Sequence, residues 1–358
     1  MKYSAAILGS GSMGFKHTYG YDRINEYYKD IQIEKKIMCS RNVEWLKKRI
    51  KELGWNEGAY EWKEVVNRPD IDVIDISAQD IYHYEMAKEA IKSGKLIICE
   101  KPIASNAEQT KELANLLKEK NTRGTVCFIY RYMPAVQSIK RLIESGKIGE
   151  IRHIDIAFTM DWALNTSGAM QWRSDSEISP LGVLGDLGTH MIDLCRYLGM
   201  EFKAVCGFEE VYAKKRPTMS GEKETKANEL CVFTARFNNN ALGVFQLSRV
   251  SGGGGMKIEI HGTEGNIRWE RKNANKIDLC EPGNYPKMTE YEPVNVNEIY
   301  KPTYPWNKDF DQMDAFTLLF HDFLTNNGKS PTFEDGYKAA KVVDAVLESA
   351  KRQATVVI

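Results

Sequence analysis

The stretch Ile7–Gly14, "ILGSGSMG", constrains this chain more than any other. A short apolar run over 3–8 ends at Gly9, and Gly11 and Gly14 follow at the spacing Gly-x-Gly-x-x-Gly. After a strand and before a helix, the first glycine permits a tight turn and the second lets the backbone approach a pyrophosphate. The third lets the helix pack closely on the sheet. The motif carries weight inside an alternating α/β pattern, and the first 130 residues supply one. Apolar, β-branched runs at 33–39, 71–77, 96–100 and 125–129 alternate with helix-like segments at 81–93 and 106–119, the latter with Asn106 placed as its N-cap. Strands that read as continuous apolar runs need cover on both faces, which means a parallel sheet.

The second half has a different rhythm. In "ELCVFTARF" (229–237), Cys231, Phe233, Ala235 and Phe237 share one side, and in "MKIEIHG" (256–262), Ile258 and Ile260 oppose Lys257, Glu259 and His261. Period-two alternation predicts strands with one covered face, and "SGGGG" (251–255) reads as a turn between two of them. The fold expected is α/β: an N-terminal Rossmann dinucleotide-binding domain over 1–125, then an α+β domain over 126–358 built on a large mixed or antiparallel sheet. An amphipathic helix at 335–352 is expected to pack back toward the first domain.

Lys and Arg balance Asp and Glu at 49 each, so no basic excess points to nucleic acid or to an anionic membrane. The charged runs Lys214–Arg216 and Glu222–Glu224 read as solvated loop. No apolar run approaches the length of a membrane span, and the N-terminus lacks the pattern of a signal peptide. Seven scattered cysteines without a Cys-x-x-Cys pair suit unpaired thiols in a reducing compartment, so the cytoplasm is the expected location.

Two further stretches bear on chemistry. At the end of the second strand, where NAD-binding chains usually carry Asp or Glu for the ribose 2′-hydroxyl, the sequence is "MCSRN". Ser40 can donate to a 2′-phosphate and Arg41 can pair with it, which favours NADP over NAD. In "VLGDLGTHMIDL" (183–194), Asp186, His190 and Asp193 are spaced by four and three, so a helix presents them on one face. Asp186 also fits an N-cap. Lys101 in "ICEKPIAS" (98–105) lies just past a strand end, at the rim where open α/β sheets bind ligands, and Pro102 restricts its backbone.

Taken in order, these pieces resemble the Gfo/Idh/MocA family, the oxidoreductases related to glucose–fructose oxidoreductase and inositol dehydrogenase. The resemblance runs through the glycine motif, "DVIDIS" followed by His83, "CEKPIA", "FIYRYMPAV", "ESGKIGEI", "QWR", "LGDLGTHMIDL" and "DGYKAAKVVDAVLESA". It implies an NAD(P)-dependent dehydrogenase acting on a secondary alcohol of a sugar, glycoside or cyclitol. It implies a catalytic set of Lys101, Asp186 and His190, with His190 as general base and Lys101 stabilising alkoxide character on the same oxygen. The implied cofactor contacts are Gly9, Gly11, Ser12, Met13, Gly14, Ser40, Arg41, Ser77, Gln79, His83, Glu100 and Lys101. Tyr130, Trp172 and Arg173 join Lys101, Asp186 and His190 toward substrate, a tryptophan face suiting the C–H face of a sugar. Two departures bear on the substrate: Ser77-Ala78-Gln79 stands where the family often has Thr-Pro-Asn, and Ile129-Tyr130 where it often has Asn. The family also implies a homodimer or homotetramer through the second-half sheet. Three other readings stay open at this stage: an NAD-dependent glycoside-cleaving enzyme working by transient oxidation and elimination, a metal site on Asp186, His190 and Asp193, and a nucleotide-sensing protein without catalysis.

Overall fold

A computed structural model describes residues 1–281, 290–300, 304–305 and 310–358. The chain forms two compact units, residues 1–132 with 304–340, and residues 133–303 with 341–358.

The first unit opens with β1 (Lys2–Leu8), α1 (Ser12–Tyr27), β2 (Gln32–Cys39), α2 (Val43–Leu53) and β3 (Glu57–Ala59). It continues through α3 (Trp62–Val66), β4 (Val73–Ile76), α4 (His83–Lys92), β5 (Leu96–Cys99), α5 (Ala107–Glu119) and β6 (Gly124–Val126). Among the described residues the six strands pair in parallel in the order β3-β2-β1-β4-β5-β6. The strand order reverses between β1 and β4, and this crevice is where such sheets bind dinucleotides. Asn106 caps α5 as its spacing predicted, accepting from the Gln109 amide at 2.9 Å. The chain later returns to this unit as helix Asp314–Leu324, whose Phe316, Leu319, Phe320 and Phe323 join the core with Tyr21 and Ile24 of α1. β4 is buried throughout, and the C-terminal halves of β1, β2 and β5 are buried, so these stretches read as unbroken apolar runs, while the edge strand β3 stays exposed.

The second unit begins with α6 (Pro134–Glu144), β7 (Ile151–Thr159), α7 (Thr189–Tyr197) and β8 (Phe202–Glu210). Strands β9 (Lys215–Thr218), β10 (Gly221–Glu224), β11 (Leu230–Phe237), β12 (Leu242–Ser248) and β13 (Gly255–Gly262) follow. The last are β14 (Asn266–Glu270), β15 (Lys276–Cys280), β16 (Glu292–Asn295) and β17 (Val356–Val357). The described residues form a nine-stranded sheet, β16-β15-β14-β13-β7-β12-β11-β8-β17, in which β7 and β12 run parallel and the other pairs antiparallel. The mixed sheet and its one-sided burial follow the period-two reading: Cys231, Phe233, Ala235 and Phe237 are buried while Val232, Thr234 and Arg236 face out. The glycine stretch 251–255 joins β12 to β13, but these are not neighbours, because β7 lies between them.

One expectation fails. The charged segments Lys214–Arg216 and Glu222–Glu224 form a hairpin, β9 with β10, and Arg216 is buried. Its guanidinium pairs with the buried Glu229 at 2.7 Å and donates to the carbonyls of Ala163 and Asn165. A charged run alone carries no sign of such a partner, because Glu229 lies in the next strand-leading segment.

Candidate active site

In the first unit the glycine turn is built as its spacing implies. Gly9 has φ +132, and a Cβ there would lie 2.6 Å from the Ser77 carbonyl oxygen. A Cβ on Gly14 would collide with the Gly9 carbonyl oxygen. Gly11 is different: its φ of −76 suits any residue, and an added Cβ meets no atom within 4 Å. The open ground lies before the first turn of α1, which carries no acidic residue and no side-chain cap. Unsatisfied N–H groups at a helix N-terminus favour an anion, so the residues present fit a pyrophosphate. The turn is braced from β4 and α2. Ser77 Oγ donates to the Gly9 carbonyl at 3.1 Å, and Trp45 Nε1 and Arg49 Nε donate to the Ser10 carbonyl at 3.0 and 3.3 Å.

Ser40 and Arg41 follow β2, Ser40 half-buried and Arg41 exposed. The Arg41 guanidinium lies 4.8 Å from the Tyr82 ring centroid and donates to its hydroxyl at 3.1 Å. Stacking on an aromatic face holds the cation outward without neutralising it. Ser12 is exposed, and Met13 and Gln79 are half-buried. His83 is buried, with Nδ1 2.7 Å from the Pro102 carbonyl and Nε2 3.1 Å from that of Ala78. It ties the Lys101–Pro102 segment to the end of β4. Glu100 is buried and Lys101 half-buried at the end of β5. Tyr130 is buried in the same unit, its hydroxyl 3.4 Å from the Gln312 amide nitrogen.

In the second unit Asp186 does not cap a helix. It sits in a π turn, Leu184–Gly188, that runs directly into α7. A cap needs extended backbone at the entry, and here the preceding Val183 is already helical. Wide turns of this kind recur at functional sites because they re-aim a side chain. The Asp186 carboxylate is held by Arg249, whose Nε and Nη2 lie 3.2 Å from Oδ2, with Arg173 Nε 3.5 Å from Oδ1. Arg249 is itself buried and donates to the carbonyls of Arg173 and Gly182 at 2.8 and 2.9 Å. Two guanidinium groups thus converge on this carboxylate. His190 and Asp193 on α7 are buried. Trp172 and Arg173 are half-buried, with the guanidinium 4.1 Å from the indole ring centre.

The residues that sequence reasoning missed are Arg249, Arg216 and His17. Arg249 follows β12 in "LSRVS", where nothing marks it as buried. His17 had a readable sign: it shares the buried face of α1 with Gly14, Tyr21 and Ile24. Among the described residues, histidine, cysteine and carboxylate donors converge at His17, Glu100 and Cys127 and at His153, Asp155 and His261, two places apart from Asp186, His190 and Asp193.

Residues 3–128 match the oxidoreductase family Gfo/Idh/MocA in its NAD-binding Rossmann fold, and residues 136–268 match the C-terminal domain of that family. The chain is 29% identical over 383 residues to a levoglucosan dehydrogenase of Pseudarthrobacter phenanthrenivorans, covering 99% of this chain and 97% of that protein. It is 26% identical over 268 residues to a scyllo-inositol 2-dehydrogenase (NAD(+)) of Bacillus subtilis, covering 73% and 72%. The solved structure of levoglucosan dehydrogenase in complex with NADH and levoglucosan superposes with a TM-score of 0.92 at 28% identity, covering all of both chains. With the family matched at both the nucleotide end and the second-unit sheet, the chain belongs to the Gfo/Idh/MocA oxidoreductases.

Proposed function

We propose that this protein is an NAD(P)-dependent dehydrogenase that oxidises a secondary alcohol of a sugar, anhydrosugar, glycoside or cyclitol, or reduces the matching ketone. The observation that carries this reading is the length of the likeness. It runs through the glycine turn, Glu100-Lys101-Pro102 and the Asp186–His190 segment to a sugar dehydrogenase of matching length. When bound, the nicotinamide supplies the hydride acceptor. The backbone at Gly9, Gly11, Ser12, Met13 and Gly14 holds the pyrophosphate, and Ser77, Gln79, His83, Glu100 and Lys101 shape the nicotinamide end.

His190 takes the hydroxyl proton of the substrate, and Lys101 hydrogen-bonds the same oxygen and stabilises its alkoxide character. Asp186, held by Arg249 and Arg173, stands four residues before His190 and orients it or binds a neighbouring hydroxyl of the substrate. Tyr130, Trp172 and Arg173 contribute to the sugar subsite, where the Arg173 guanidinium already lies on the Trp172 ring.

The cofactor is NADP in preference to NAD. Support comes from Ser40, from the outward cation of Arg41, and from the lack of a carboxylate in "MCSRN". Self-association through the outward face of the nine-stranded sheet belongs to the same reading. That face exposes Phe208 at 66% beside its partner Val232 at 38%, and Leu242 at 49% and Val244 at 41% on β12, apolar side chains that an isolated chain leaves wet. The seven thiols form no disulfide among the described residues, which suits the cytoplasm. No helix among the described residues is long and apolar enough to cross a membrane. A panel of anhydrosugars, sugars, glycosides and inositols with either nucleotide tests the activity, and net formation of NAD(P)H separates a dehydrogenase from a glycoside-cleaving relative.

A further inference from the structure

Beneath the Glu-Lys-Pro segment lies a buried polar cluster of which the reaction as described uses Glu100 but neither His17 nor Asp75. His17 stands on α1 three residues past Gly14 and is fully buried. Its Nδ1 lies 2.7 Å from Asp75 Oδ1 on β4, and its Nε2 lies 3.0 Å from Glu100 Oε1 just past β5. The second oxygen of Asp75 accepts the Tyr21 hydroxyl at 2.6 Å. The second oxygen of Glu100 accepts the backbone N–H of Lys101 at 3.1 Å. Phe316 and Phe320 pack on the imidazole, each with its ring centroid at 5.0 Å.

Two carboxylates face one another across the His17 ring in an apolar surround, which is costly without a positive charge between them. Burial pulls the His17 imidazolium down, but Asp75 and Glu100 outweigh it by charge and hydrogen bond and raise its pKa to about 9. The ring is therefore an imidazolium at neutral pH, with both N–H groups donating. Neither the Tyr21 hydroxyl on Asp75 nor the Cys127 thiol, 3.9 Å from Nε2, competes, since burial pushes both up. A well-packed apolar residue would hold α1 to the sheet as well as or better than a buried ion cluster does. The cluster does something that apolar packing does not: it fixes a carboxylate whose far oxygen grips the Lys101 backbone.

We propose that His17 is a positioning residue for Lys101. Its imidazolium clamps Glu100 against α1 and β4, and Glu100 in turn sets where Lys101 leaves the sheet. This rests on the reading of Lys101 as the group that hydrogen-bonds the substrate oxygen. The helix that faces the pyrophosphate and the lysine that faces the substrate are thus joined through the His17 and Glu100 side chains. Misplacing a reacting group by an ångström costs up to roughly a hundredfold in rate, so the tie has kinetic weight.

The test is a double-mutant cycle of His17→Gln with Lys101→Ala in the full-length protein, with kcat, KM, nucleotide Kd and thermal midpoint measured for each. His17→Gln is expected to lower kcat roughly 10- to 100-fold while Kd for NAD(P)H moves less than about threefold, and to add nothing in the Lys101→Ala background. Losses that multiply in the double variant, or a lowered midpoint with kcat of the folded fraction unchanged, overturn the proposal. If His17→Gln does not fold, Glu100→Gln carries the same cycle, since it keeps an acceptor for the Lys101 N–H and removes the charge that His17 grips. Independently of turnover, NMR titration of the His17 ring in the intact protein is expected to show a midpoint near 9, falling in Glu100→Gln. The clamp is present below that pH and lost as pH rises through it. A midpoint at the ordinary 6.5, or one unmoved by Glu100→Gln, overturns the clamp. If Lys101→Ala alone leaves kcat unchanged, the assignment of Lys101 fails, while the titration still reports on the tie between His17 and Glu100.

Discussion

Replacing Gly11 by valine and Gly9 by alanine separates the nucleotide site from the fold that carries it. At Gly11 the backbone is extended and a Cβ meets nothing within 4 Å, so a side chain there costs the fold little, roughly 0.5 kcal/mol or less as for other surface changes. The valine occupies the space that the pyrophosphate needs, and the expected loss of nucleotide affinity is at least about 100-fold, or about 2.7 kcal/mol. At Gly9 the balance reverses. A φ of +132 strains any side chain by roughly 1–3 kcal/mol, and a Cβ 2.6 Å from the Ser77 carbonyl oxygen adds an overpacking cost of roughly 1–3 kcal/mol. Gly9→Ala is therefore expected to lower the thermal midpoint by several degrees, while Gly11→Val holds it within about one. Titration calorimetry with NADH and NADPH, beside scanning calorimetry, reads both quantities. Wild-type nucleotide affinity in Gly11→Val would refute the placement of the pyrophosphate, whatever happens at Gly9.

Arg41→Ala is expected to cut the preference for NADP over NAD by roughly 10- to 100-fold, the value of one to two charged hydrogen bonds, and equal affinities in the unmodified protein would end the case for NADP. His190→Ala is expected to lower kcat by roughly 10²–10⁴ with nucleotide Kd nearly unchanged, and stopped-flow binding beside turnover checks both. Asp186→Asn is expected to lower stability by roughly 1–3 kcal/mol as well as activity, because the buried Arg249 loses its charged acceptor; denaturant melts showing full stability would contradict that pairing. Val244→Lys is expected to shift the protein toward monomer in sedimentation, and an unchanged mass would clear that face of any role in assembly.

The parts of the fold legible in the sequence were those set by local pattern. The buried runs before Gly9 and at 96–100 needed no partner to be recognised, and Cys231 to Phe237 announced its covered face by alternation alone. What was hidden depends on residues far apart in the chain. Arg216 looked solvated because its partner Glu229 and the carbonyls of Ala163 and Asn165 meet it only after folding. The helical spacing of Asp186 and His190 was readable, but the π turn was not, nor was the grip of Arg249 from the end of β12. Asp75 in the middle of "DVIDIS" was a visible signal of a different kind. A carboxylate in a strand buried on both faces needs a partner, and His17, on the buried face of α1, is that partner.

The most direct test of the account is turnover of the purified protein with levoglucosan, glucose, simple glycosides and inositols, each with NADP and with NAD, followed at the nicotinamide absorbance. The account predicts that at least one polyol of this class yields one equivalent of reduced nucleotide per equivalent of ketone, faster with NADP, and that His190→Ala slows its formation by roughly 10²–10⁴. Reduced nucleotide formed equally by His190→Ala, or cleavage of a glycoside with no net reduced nucleotide, would contradict it.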